Sequence, residues 1–313
     1  MKILPLILLS VGLNAYAFNS EDWLGKRAVL DREAERLQSV FADCRKLATA
    51  PAENISVPVE SFPDGSIKSQ VLAKQAQIFL DTGMVWAKDV TVRMFDPAGK
   101  TEAEVKAGEC VIDRNGTCAW VDGHAAARYQ DTELEGDGIY FSFAEEYVKI
   151  MQNAEIRSKN LRLRGLAQAQ QTRDLRLTSE RGDYDRKEGV LLFDGRVALD
   201  DPEYRMNADR VFVFLDGTND LKRVVALGSV ALTNESRCAY CPKVTYAKAA
   251  GKVVMYGDGE ERAKLVELGS RRSEVTGSRI TFWLDSEQVE VEDSTITLEG
   301  GSSAGDLKKV LDR

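Results

Sequence analysis

A strand pair repeats along this chain, and little else in the sequence limits the fold as strongly. In 181-RGDYDRKEGVLLFDGRVALDD-201 the aromatic Tyr184 is followed by a turn glycine, Gly189, then by a second one, Gly195, and the alternating residues Val197 and Leu199. The frame recurs with Ile78, Ile112, Phe141, Phe212, Tyr246 and Phe282 in place of Tyr184. Each is followed by a turn position, at Gly83, Gly116, Glu146, Gly217, Gly251 and Glu287. Apolar residues in these stretches fall at period two, as in Val90, Val92 and Met94 against Thr91 and Arg93, so one face of each strand is apolar and the other wet. Nothing helical separates the runs, and parallel crossovers would need helices. The expected fold is all-β, an extended antiparallel structure of about seven strand pairs. The copies lie 28 to 43 residues apart, which argues against a strict solenoid.

The ends of the chain read differently. Residues 1–17 have the form of a secretory signal peptide: Lys2, the apolar run Ile3 to Leu13, and the small-x-small site Ala15-Tyr16-Ala17. Cleavage after Ala17 would release a periplasmic chain. Without Lys2 the balance is 41 basic to 50 acidic side chains, with no dense Lys/Arg stripe, so nucleic acid is a poor partner. Residues 18–50 hold the one helical stretch, with Leu30, Leu37, Phe41 and Cys44 on one stripe, either a cap over the open end of the sheet or a docking helix. Strands then fill 51–166, a polar loop occupies 167–174, strands resume over 175–300, and 301–313 is a loose Gly/Ser and charged tail.

Five cysteines suit an exported chain. A loop centred on Arg114 would place Cys110 and Cys118 opposite each other on paired strands, so a disulfide is expected there. Cys238 and Cys241 have a spacing shared by redox sites, zinc knuckles and small structural loops. With no second such pair and a single histidine, a structural disulfide is the expected reading. His124 follows Asp122-Gly123 and reads as a solvated loop residue. No nucleophile motif, phosphate loop or metal-ligand cluster is apparent, so no catalytic residue, cofactor or metal is expected. The acidic stretches 216-DGTND-220 and 257-GDGEE-261 read as turn chemistry.

Tyr184-Asp185, Gly189, Gly195, Val197, Leu199 and the run Asn207-Ala208-Asp209-Arg210 leading to Phe212 together resemble the OstA-like repeat of lipopolysaccharide export proteins. Over about 175–299 the resemblance is to LptA-type members, and over the first half, with its Phe95-Asp96-x-x-Gly99 turn, to LptC-type members. It implies a partly open, V-shaped β-jellyroll whose apolar interior carries lipopolysaccharide or a related glycolipid. It also implies edge-to-edge self-association, and as partners an inner-membrane ABC exporter complex and an outer-membrane translocon of the Lpt type.

Alternation identifies the side chains that would line such an interior: Val90, Val92, Phe141, Phe143, Val197, Leu199, Phe282, Leu284, Val289 and Val291, while Thr91, Arg93, Glu290 and Glu292 take the opposite phase. An exported chain with an apolar face on so many strands must close on itself or leave a groove, and a groove stabilises acyl chains by about 0.8 kcal/mol per buried methylene. The alternative is a structural or adhesive β-repeat protein whose sheet is fully packed and carries no lipid.

Overall fold

The structure is a computed structural model that describes residues 20–113, 115–129, 132–159, 174–202, 204–216, 221–268, 273–283 and 288–298. The signal-peptide residues 1–17, most of the 167–174 loop, Leu284, the turn positions Gly217 and Glu287, and the 301–313 tail lie outside them. One helix, α1 (Ser20–Leu47), precedes β1 (Ala52–Ser61), β2 (Ile67–Phe79), β3 (Met84–Phe95), β4 (Thr101–Asp113), β5 (Cys118–Tyr129), β6 (Thr132–Ser142), β7 (Tyr147–Lys159), β8 (Asp174–Ser179), β9 (Arg181–Asp185) and β10 (Val190–Asp200). The remaining strands are β11 (Arg205–Leu215), β12 (Leu221–Thr233), β13 (Arg237–Ala247), β14 (Lys252–Tyr256), β15 (Ala263–Glu267), β16 (Ser273–Gly277), β17 (Arg279–Trp283), β18 (Val289–Glu292) and β19 (Thr295–Leu298). The fold is antiparallel β throughout, as the alternation requires. Its compact units do not meet at one cut in the 167–174 loop. Residues 1–156 cluster with Arg181–Gly189, and Arg157–Glu180 cluster with 190–313.

In the first unit β1 to β6 form a meander, each strand paired antiparallel with the next. The inner face carries the row Ala87, Cys110, Val121 and Ile139, which packs with Val90, Ala125 and Ile150 in a single buried cluster. The opposite face carries Trp86, Val111, Trp120 and Tyr140, also buried. The helix touches β3, β4 and β5 and buries Leu30, Ala34, Leu37 and Phe41, one stripe at helical spacing. It therefore covers a sheet face and is not a cap over the open end, because the aromatic row is too apolar to be left in water.

In the second unit β10 to β13 form a meander that then divides. The second half of β13 pairs with β14 and its first half with β15. β14 continues through β17 to β18, and β15 through β16 to β19. The division follows a line of bends. β10 carries a register shift at Gly195 and Arg196, with φ of +83° and +46°. β12 carries another at Gly228 and Ser229, with φ of +74° and +46°. Such bulges bend and twist the strand, turning each long strand into two arms. Gly195 is thus a bulge inside β10 and not the second turn of a hairpin. Likewise His124 lies beside a bulge inside β5, exposed, with Nδ1 3.2 Å from Asp137, and not in a loop.

At Gly195 and Gly228 a side chain is excluded twice, by the positive φ and by Glu180 and Asp209, which occupy the place of a Cβ. Gly228→Ala should therefore cost about 1–3 kcal/mol or more of stability. Gly25, in the helix with nothing within 4 Å of a Cβ, should gain up to about 1 kcal/mol on change to Ala. Urea unfolding midpoints of the two variants should move in opposite directions, and equal shifts would contradict the bend assignment.

Candidate functional site: the apolar inner faces

The strand preceding each turn contributes one side chain to a common inner row near the hairpins. In the first unit Ile78, Val85, Ile112, Ala119 and Phe141 are successive cross-strand partners. In the second unit Val213, Val224, Tyr246, Val253, Phe282 and Val289 are. Phe212 breaks the pattern. Its neighbour Val213 holds the inner place, while Phe212 stacks on Phe214 at 6.2 Å on the other face.

Burial is graded across these rows. Toward the bends the inner side chains are sealed: Val211, Ala226, Met255 and Ile280 in the second unit are each at most 1% exposed. Toward the hairpins they open, with Ile112, Phe141, Tyr246 and Phe282 half-buried and Ile78 60% exposed. The inner face thus presents an apolar lip that water touches above an apolar floor that it does not, an arrangement able to take up a chain of methylenes.

The side chains singled out by alternation all have places here except Leu284, which lies outside the described residues. Val90 is buried in the first unit's cluster, with Val92 and Phe141 packed against it and Phe143 stacked on Phe141 at 6.2 Å. Val197 is buried beyond the bend of β10, and Leu199 is half-buried beside it. Phe282, Val289 and Val291 face inward on β17 and β18. Sequence reading missed the sealed floor, Met255 and Ile280 among it, because alternation assigns a face but not a depth. The opposite phase pairs with itself, Arg93 with Glu104 at 3.0 Å and Arg279 with Glu292.

Both expected disulfides are absent, and all five cysteines are free thiols. Val111 pairs with Trp120 and Ile112 with Ala119, so the β4–β5 hairpin turns between Asn115 and Gly116, not at Arg114. Cys110 then faces Val121 in the inner cluster while Cys118, opposite Ser142, falls on the helix-covered face, since an odd register shift exchanges faces. Cys238 and Cys241 lie three apart in the regular strand β13, pairing Thr233 and Val230, and so point to opposite faces about 10 Å apart, beyond disulfide reach. Burial pushes the Cys110 thiol up to about 12 and the Cys241 thiol up to about 11.

In native protein near pH 8 these two thiols should stay protonated and alkylate far more slowly than the half-buried Cys238, with rates climbing only as the pH approaches 11 to 12. After denaturation all five should alkylate without reductant. Peptide mapping checks both, and a disulfide-linked peptide would overturn the assignment.

The acidic turn at Asp258 is explained locally, its side chain accepting the backbone N–H groups of Glu260 and Glu261 at 3.2 and 2.9 Å. Its counterpart beyond Asp216 lies outside the described residues.

A buried ionic cluster fastens the helix to the first unit. Asp183 accepts from Tyr147 Oη at 2.7 Å, Lys149 Nζ at 2.8 Å and Arg27, and Lys149 also meets Asp31 of the helix. Asp185 pairs with Lys26 at 2.9 Å. Burial beside Asp183 raises the Tyr147 phenol well above its ordinary range, keeping it a hydrogen-bond donor. Removing one partner leaves a buried charge uncompensated, so Asp183→Asn should cost about 3–5 kcal/mol, read from the urea midpoint.

With this geometry in place, comparison with known proteins is informative for one segment. Residues 176–288, somewhat more than a third of the chain, match the family described as LptA/(LptD N-terminal domain) LPS transport protein. Among solved structures the chain is similar to LptH, the LptA-homologous periplasmic component of the lipopolysaccharide transport device of Pseudomonas aeruginosa. That match has 16% identity, a TM-score of 0.34, and covers 41% of this chain and 95% of that one. No curated protein matches the chain.

Proposed function

From the LptA/LptD-type segment at 176–288, we propose that this protein is a periplasmic carrier of lipopolysaccharide or a related glycolipid, with the acyl chains held against the inner apolar faces. The observation that carries the reading is the inner row near the hairpins, most of whose side chains are only partly buried. Side chains such as Tyr246 and Phe282 are apolar, aligned across successive strands and open to water, which is costly unless something apolar visits them. Each buried methylene of a visitor contributes about 0.8 kcal/mol, so a few acyl chains suffice for tight capture. Cleavage after Ala17 and release to the periplasm belong to the same proposal. So does a place in a bridge between an inner-membrane ABC exporter complex and an outer-membrane translocon of the Lpt type. Among the described residues β1 pairs only with β2, and β18 and β19 pair only with β17 and β16, so their outer edges are open to edge-to-edge joining with another copy or a partner.

The packed-sheet alternative draws on the sealed floor, where Val197 and Ile280 are at most 1% exposed. A photoreactive residue at Phe282 separates the two. The carrier reading expects glycolipid crosslinks from this position in cells, their loss when Val291 is changed to Asp, and their persistence in Glu290→Arg on the wet face. Circular dichroism must show each variant folded, since a buried unpaired charge is costly. Equal crosslinking by folded Val291→Asp and Glu290→Arg, or no lipid at Phe282, would favour the packed structural protein.

A further inference from the structure

The outer face of β11 to β14 and β17 in the second unit collects cations although the chain as a whole carries a net charge of −8. Residues directly opposite in an antiparallel pair share a face, so Arg210, Leu227, Lys243, Tyr256 and Arg279 form one outer row. Phe214, Arg223, Ala247, Lys252 and Trp283 form another on the same side. The row between them, Phe212 to Thr281, carries no charge, and its Val254 and Thr281 are buried, so the flanking rows supply the accessible groups. These five strands bring five cations and no carboxylate to this stretch of face. Among the described residues carboxylates stand only at its borders, where Asp194 of β10 pairs with Arg210 at 2.9 Å, Glu292 of β18 pairs with Arg279, and Glu290 of β18 lies opposite Thr281.

The three central cations have no ion-pair partner among the described residues and are instead held over aromatic rings of their cross-strand neighbours. Arg223 lies 4.2 Å from the centroid of Phe214, Lys243 5.3 Å from Tyr256 and Lys252 5.2 Å from Trp283. Stacking on a ring fixes a long side chain flat against the sheet without neutralising it. The result is a preordered cationic surface with amphipathic rings at its margin, the composition that suits the headgroup layer of an anionic bilayer.

We propose that this face docks the protein reversibly on a membrane surface by binding phosphate-bearing lipid headgroups. Charge complementarity selects the partner, and the contact is separate from the inner faces, so it stands or falls independently of the carrier reading. A face with several cations meets several headgroups at once, and each cation near an anionic leaflet adds about fivefold to partition.

The test is sedimentation of the purified chain with phosphatidylcholine vesicles containing or lacking one third phosphatidylglycerol, at low and high salt. The expected results are binding to the anionic vesicles only, release by salt, and a roughly hundredfold loss of partition in R223Q/K243Q/K252Q. The charge-matched control K46Q/K74Q/K106Q, which removes exposed cations elsewhere, should bind as the unmodified chain does. Equal binding to neutral vesicles, binding insensitive to salt, no binding at all, or equal losses in the two variants would overturn the proposal. So would self-association of the unmodified chain in sedimentation velocity that the face variant alone abolishes without any vesicle binding, since the face would then join copies of the chain. The salt dependence of the unmodified chain decides the matter even if the triple variant folds poorly.

Discussion

Everything in this molecule depends on bending long strands without breaking their ladders. Strands of up to 13 residues with an apolar face cannot bury that face while flat, and the described residues include no layer of helices to cover the inner faces. The bulges at Gly195–Arg196 and Gly228–Ser229, and the breaks between β14 and β15 and between β16 and β17, supply the bend at corresponding places in successive strands. Glycine at the positive φ and carboxylates filling the neighbouring space make that bend specific, so the sealed floor follows from it.

The first unit adds a second solution to the same problem. Its outer face is aromatic, with Trp86, Trp120 and Tyr140, and the helix buries it. The ionic cluster around Asp183 fixes where the helix sits more than it stabilises it, because desolvation offsets most of the attraction between buried charges while a wrong register would leave one of them unpaired. In the second unit the outer face carries exposed cations ordered by cation–ring stacking, so the two units use chemically different exteriors around similar apolar interiors.

Much of this was legible in the residues. The alternation assigned the antiparallel class, the hairpin strands and the inward phase of Phe141, Phe282 and Val291, because side-chain direction in a strand is local. The helix stripe was legible for the same reason. What failed was whatever depended on counting across a turn. Cys110 and Cys118 were assigned to one side because the hairpin centre was misplaced, and Gly195 and His124 were read as turn residues because a bulge and a turn ask for the same residue types. Phe212 matches Tyr184 in its spacing to the following turn, but on β11 Val213, two residues from the buried Val211, holds the inner place.

The sequence by itself determined which stretches form antiparallel strands, which phase of most of them is apolar, and the OstA-like pattern around Tyr184 to Phe212, all of them properties of short stretches. Only the tertiary structure decided how deep each apolar residue lies, that the helix covers a sheet face, that Asp183 gathers Tyr147, Lys149 and Arg27, and that Arg223, Lys243 and Lys252 share one outer surface. Those outcomes rest on register. Register is a sum over every turn and bulge between two residues, and a shift of a single position exchanges the faces of everything beyond it.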